Sequence, residues 1–166
     1  LKSAVTGIVT VLVCHVTEVE LFGKKAGPFD ILVQKVEECE DTGTRQMVFG
    51  TKIDSKGNRV YTYTNVVYIL VPWDDNIKVD IELQKLSNGV YRPRFITHSF
   101  KNCEHIVNIA KGWMEDFFGA AGYNFTGCPL PMGNYSVKDW VVNLRLDNIP
   151  TLIYNSYRLF GTFTYS

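Results

Sequence analysis

The chain has 166 residues, with seventeen Lys and Arg set against seventeen Asp and Glu, 46% hydrophobic residues and 20% charged ones. That length suits a single domain with a core of its own, and the composition excludes a disordered chain. The zero net charge argues against a general nucleic-acid binder, which needs a clustered excess of Lys and Arg. No uncharged apolar run reaches the roughly 18 residues of a membrane-spanning helix.

The chain opens with Lys2 and the apolar run Ala4 to Val13, the layout of a secretory signal. Residues 1–20 are accordingly expected to be a signal peptide, with a mature single domain over 21–166 starting between Glu20 and Lys24. The competing reading of the same Val-, Ile- and Thr-rich residues is a β-strand. From Phe29 the pattern has period two. Phe29 to Val36 reads as a strand, Met47 to Ile53 as a second, and Asp54-Ser55-Lys56-Gly57-Asn58 as the turn after it. Arg59 to Val71 reads as a long strand, closed by the turn Pro72-Trp73-Asp74-Asp75-Asn76. Ile77, Val79, Ile81 and Leu83 alternate with Lys78, Asp80, Glu82 and Gln84, the pattern of a strand with one dry face. Ser87-Asn88-Gly89 turns the chain into a strand from Tyr91 to Phe100, where Pro93 marks an edge or a bulge.

The period changes once. Asn102 is placed to cap a helix whose apolar residues Ile106, Val107, Ile109, Ala110, Trp113, Met114, Phe117 and Phe118 recur at spacings of three and four. Gly119 and Gly122 are expected to stop it. Strand character resumes from Tyr135 to Leu146 and from Tyr157 to Tyr165, with Ile149-Pro150 in the connection. The pattern predicts a mainly β fold, an antiparallel cup or sandwich of the immunoglobulin-like kind with one amphipathic helix near residues 103–118.

Four cysteines, Cys14, Cys39, Cys103 and Cys128, stand 25, 64 and 25 residues apart and match no zinc-ligand spacing. Cys103 and Cys128 flank the helix and its Gly-rich loop and are expected to form a disulfide. Cys14 falls in the signal peptide, and Cys39 is left without an assigned partner. The sequons Asn124-Phe125-Thr126 and Asn134-Tyr135-Ser136 are candidate glycosylation sites and agree with export.

No catalytic constellation emerges. His98 reads as a strand histidine, His105 stands only two residues from Cys103, and Asp74-Asp75 reads as turn chemistry; nucleophile elbows and phosphate or dinucleotide loops are absent. The expectation is a protein that is not an enzyme, with no metal and no cofactor. The surplus of large apolar side chains lies on the helix and the loop after it: Trp113, Met114, Phe117, Phe118, Tyr123 and Phe125. Ligand pockets have this composition; so does any helix packed onto a sheet.

The stretch Cys128-Pro129-Leu130-Pro131-Met132-Gly133-Asn134-Tyr135-Ser136-Val137-Lys138-Asp139-Trp140 is similar to the Cys-Pro…Gly-x-Tyr…Lys region of ganglioside-activator-like proteins. The similarity runs on through Val141-Val142, Leu146, Ile149-Pro150 and Tyr157-Arg158-Leu159. Val137-Lys138-Asp139, the later Pro150 with Tyr157-Arg158, and the Cys103-helix-Cys128-Pro129 arrangement resemble small secreted insect proteins that include the CheB-type chemosensory proteins. The resemblance implies the ML (lipid-recognition) type of β-cup around an apolar cavity, and a secreted protein that binds a hydrophobic small molecule or lipid in pheromone or taste detection. A chemoreceptor and transient contact with a membrane are the other partners in view, and no nucleic acid. In this reading the six aromatic and methionine residues above form the ligand site, with Tyr123 and Phe125 as a movable rim. Two other expectations compete with it. One is a sandwich with a filled core that binds another protein. The other is a glycolipid-presenting activator of a hydrolase, which the absence of a cysteine from the last strand disfavours.

Overall fold

The computed structural model describes residues 31–39, 43–58, 60–141, 151 and 153–166 in full, and residues 14–20, 26–27 and 152 by backbone alone. Among the described residues, ten strands and one helix follow in chain order: β1 (Cys14–Glu20), β2 (Ala26–Gly27), β3 (Leu32–Glu38), β4 (Met47–Ser55), β5 (Tyr61–Ile69), β6 (Ile77–Ser87), β7 (Val90–Phe100), α1 (Cys103–Ala120), β8 (Gly133–Val141), β9 (Leu152–Ile153) and β10 (Ser156–Tyr165). All pairings are antiparallel. One sheet has the order β3-β1-β10-β6-β7, the other β4-β5-β8, and β2 pairs β9 in a separate short ladder.

The two larger sheets form a sandwich, as the alternation predicts. β3 meets β4 and β5 along one flank; along the other, α1 lies against β6, β7 and β8. The principal core lies near the helix, where Ile77, Val79 and Phe100 pack with Met47, Ile69, Trp73, Cys103, Met114 and Leu130. A smaller cluster around Val33, Tyr63 and Tyr157 takes in Ile53, Leu83 and Trp140. Cross-sheet ring contacts tie the layers, with Phe163 5.4 Å from Trp73 and 6.3 Å from Phe49. The indole Nε1 of Trp73 donates to Met47 Sδ at 3.1 Å.

Residues 14–20, assigned above to a leader, form the strand between β10 and β3. Cleavage between Glu20 and Lys24 would take this strand out of the middle of the sheet; residues 1–13 lie outside the described residues. The strand expected from Arg59 to Val71 spans Tyr61–Ile69, and β8 is described as far as Val141; the expected continuation to Leu146 and the Ile149-Pro150 connection lie outside the described residues.

β7 is an outermost strand with Pro93 within it. Arg94 adopts φ 55°, and the pairing with β6 slips between Leu83 and Lys85, a bulge. The helix begins as the sequence predicts: His105 N–H donates to Asn102 Oδ1 at 3.0 Å, with Asn102 itself in extended conformation. It runs through Gly119 to Ala120. The turn is completed at Gly122, whose φ of 78° suits glycine. Ala110 departs from helical geometry and kinks the helix, with Gly112 two residues on.

Cys103 and Cys128 are joined in a disulfide. The Cys128–Pro129 peptide is cis, and Leu130 then pairs with Trp73 through two backbone hydrogen bonds of 2.9 Å. Cys39, left unassigned above, is also disulfide-bonded.

Candidate functional site

The helix supplies most of the residues that the sequence singles out. Phe117 stacks on Trp113 at 5.8 Å and meets Trp140 edge-on at 5.4 Å. Phe118 stacks on Phe125 at 5.5 Å and meets Tyr135 and Tyr123 edge-on at 4.9 and 6.0 Å. The spacings of three and four residues put these rings on one helix face, and offset or edge-to-face contacts add about 0.5–1.5 kcal/mol each beyond area burial. Met114, Phe117, Phe118 and Phe125 are buried in the core, while Trp113 and Tyr123 keep part of their surface exposed. The loop after the helix is fixed: the Tyr123 N–H donates to the Phe118 carbonyl at 2.8 Å, and Phe125 is enclosed by the core. The structure thus gathers all six residues, chiefly as packing between the sheets, and the last of them is a plug rather than a rim. Asn124 and Asn134, the two sequon asparagines, are both exposed.

Packing loosens with distance from the helix. Along the inward row of β6, Ile77 and Val79 are 1% and 5% exposed, whereas Ile81 and Leu83 are only half-buried. On β7 the inward row goes from Phe100 at 8% to His98, which is exposed, and Ile96 at 41%. These residues are matched by register, Val79 with Phe100, Ile81 with His98 and Leu83 with Ile96, so one side of the sandwich opens progressively between β7 and β8.

The middle of this opening has an unusual wall. Gly161 of β10 pairs Ile81, placing Gly161, Ile81 and His98 in one inward row. Among the described residues, a Cβ built on Gly161 would touch only the Phe163 ring, at 3.6 Å. In the opposing sheet the matching row is Thr51, Asn65 and Val137, on the face that Asn65 shares with Val67 and Ile69. The next rows pack firmly on both sides, through Phe49 with Phe163 and through Tyr63 with Tyr157 and Leu83. The amide oxygen Oδ1 of Asn65 is closed off from solvent and has no hydrogen-bond partner.

The same strands border an open concavity of about 550 Å³, with Asp80, Glu82, Thr97 and Ser99 in its lining together with Ile81 and His98 of the inward row. Its acidic groups already have partners. The Ser99 hydroxyl donates to Asp80, Lys78 pairs with Asp80 at 3.0 Å, and Glu82 accepts from Gln84 Nε2 and the Arg94 N–H. Partial burial pushes the Asp80 carboxyl up, but the Ser99 and Lys78 hydrogen bonds and the Lys78 charge together hold it below its ordinary value.

The other displaced titrations belong to tyrosines. Burial raises the Tyr63 hydroxyl, with Tyr61 adding to the effect, and Tyr63 donates to the Val33 carbonyl. Burial likewise raises Tyr135, with Tyr123 assisting, and Tyr157; these donate to the carbonyls of Pro131 at 2.8 Å and Ile153 at 2.6 Å. They are structural ties within loops and strands. Among the described residues no group of three or more His, Cys, Asp or Glu is placed to hold a metal ion.

Gly161 and Asn65 were absent from the sequence-derived site, although both left a trace. Asn65 is the amide in the inward set Tyr63, Asn65, Val67 and Ile69 of an otherwise apolar strand face, and Gly161 interrupts a strand rich in aromatic residues. A strand-interior glycine often marks a place where something approaches the backbone closely.

No curated protein matches the chain. Residues 77–159, half of its length, match a protein family described as "Protein of unknown function (DUF1091)". The matched segment runs from the start of β6 through β7, α1 and β8 into β10, and so takes in the disulfide, the helix and most of the open side of the sandwich. The chain therefore belongs to this family of proteins of unknown function.

Proposed function

We propose that the protein is a secreted carrier of a small hydrophobic or lipid ligand, held between the sheets on the β7–β8 side, and that it works in chemosensation. The observation that carries this reading is the loss of burial along the inward rows of β6 and β7, together with the space over Gly161. A sandwich built only for stability would cover Ile81, Leu83 and Ile96, because each fully buried side chain of that size contributes about 1.5–3 kcal/mol. Left part-exposed and facing inward, they offer that same stabilisation to an apolar guest. The disulfide and the exposed sequon asparagines suit an oxidising, exported setting. The chemosensory role rests on the resemblance of about residues 100–160 to the secreted insect proteins.

Filling the space tests the idea. Gly161→Leu should leave the fold intact and reduce uptake of a fluorescent fatty-chain probe at least about ten-fold. If instead the interior is already full, the same change overpacks it, costing about 1–3 kcal/mol of stability. Unchanged probe affinity in a stable variant would refute the carrier. Trp113→Ala reports separately on the helix, since Trp113 is half-buried beside the opening.

A second reading, an interaction module, has its own observation. Tyr68, Leu70 and Met132 are 44%, 58% and 61% exposed, and the β5–β8 register, with Tyr68 opposite Asn134 and Ile69 opposite Gly133, leads Leu70 towards Met132. Native mass spectrometry of the secreted protein separates the two, since a co-purified lipid belongs to the carrier alone.

A further inference from the structure

Buried polar groups are almost always hydrogen-bonded, and an unpaired one calls for an explanation. Asn65 Oδ1 is such a group. It sits on the inward face of β5, in the row of Thr51 and Val137 and across the sandwich from the row of Gly161, Ile81 and His98. Every neighbouring inward row is apolar or aromatic: Phe49, Val67 and Tyr135 on one side, Ile53, Tyr63 and Trp140 on the other. An asparagine in that place without a partner destabilises the empty protein, since a leucine, branched at the same carbon, would need no hydrogen bond.

Resting on the carrier reading, we propose that Asn65 is the polar anchor of the cavity and that the ligand is an amphiphile with one hydroxyl group on a long apolar chain, rather than a plain hydrocarbon. The hydroxyl donates to Asn65 Oδ1 in the middle layer, and the chain lies along Ile81, Leu83 and Ile96 towards the open side. Thr51, opposite Asn65 in the ladder, is the second polar residue of that row. Selectivity follows because a site built to hydrogen-bond a hydroxyl leaves its own polar group unpaired when an analogue lacks one.

Competition of hexadecanol and hexadecane against a bound fluorescent fatty-chain probe, in the wild-type protein and in Asn65→Leu, tests the anchor. Comparing the ratio of the two affinities between the two proteins cancels the cost of desolvating the free ligands. The ratio should fall about ten-fold in Asn65→Leu, the size of one net hydrogen bond, through weaker binding of the alcohol with the alkane held or improved. The ligand-free variant should melt at the wild-type temperature or above, because it loses an unpaired buried group. An unchanged ratio, or equal loss of both ligands in a folded variant, overturns the anchor while leaving the carrier standing. Failure of the wild-type protein to bind either compound overturns the carrier, and the anchor with it.

Discussion

Replacing Cys103 and Cys128 together by alanine removes a cross-link between the first residue of α1 and the turn that leads to β8. The two cysteines are 25 residues apart. In the chain-entropy description, closing a loop of that length restricts the unfolded chain by about 3.5 kcal/mol at room temperature. Cys103 is wholly buried among Met114, Phe117 and Leu130, so the lost sulfur contacts add to that figure. A chain of this size shifts its melting temperature by about 2–4 °C per kcal/mol, which gives a fall of about 7–14 °C. Urea unfolding followed by tryptophan fluorescence and circular dichroism measures the same quantity at fixed temperature, with an unchanged slope required for the comparison. A loss below about 1 kcal/mol at constant slope would refute the reasoning. It would mean that the unfolded chain already keeps this loop compact without the sulfur link.

Alkaline pH should weaken the protein in a defined window. Burial raises Tyr63, Tyr135 and Tyr157 above 10.0 in the folded state. The folded chain therefore holds these protons longer than the unfolded one. Their contribution is complete below the unfolded value and is lost as pH climbs through the folded ones; a urea midpoint that stays flat from about pH 8 to about pH 12 would contradict this. Cys39 has a partner to be identified by non-reducing peptide mapping. Cys103 and Cys128 are joined to each other, and the β1–β3 ladder pairs His15 with Glu38, one residue short of Cys14 and Cys39. The map should therefore link the peptides that carry residues 14 and 39, and a link from Cys39 to any other cysteine would disprove the ladder argument.

Periodicity made most of the sandwich readable. The alternation from Ile77 to Leu83 and the three-four spacing from Ile106 to Phe118 each report a burial face directly, and both elements are where those patterns put them. The first strand was harder to place, because Val-rich residues behind a single lysine satisfy a secretion signal and a buried strand equally well. Local sequence holds no term for the pairing of β1 with β10, about 140 residues away. The site shows the same division. Aromatic residues on the helix were conspicuous, yet conspicuous apolar side chains are the ones a fold uses to close its core. The opening is defined instead by what is missing, a side chain at Gly161 and a partner for Asn65, and both depend on how two sheets meet.

The interrupted outer strand has a consequence for the protein in bulk. Among the described residues β7 pairs on one side only, and its eleven residues would offer a template on which another copy could add a strand, then another. Pro93 supplies no N–H, Arg94 turns the backbone out of line, and Arg92 and Arg94 place positive charge on both sides of the break. An incoming chain would find a few residues to pair with before meeting a gap and like charge. Crowded solutions of the protein can thus resist growing into ribbons even though its sandwich stays ajar.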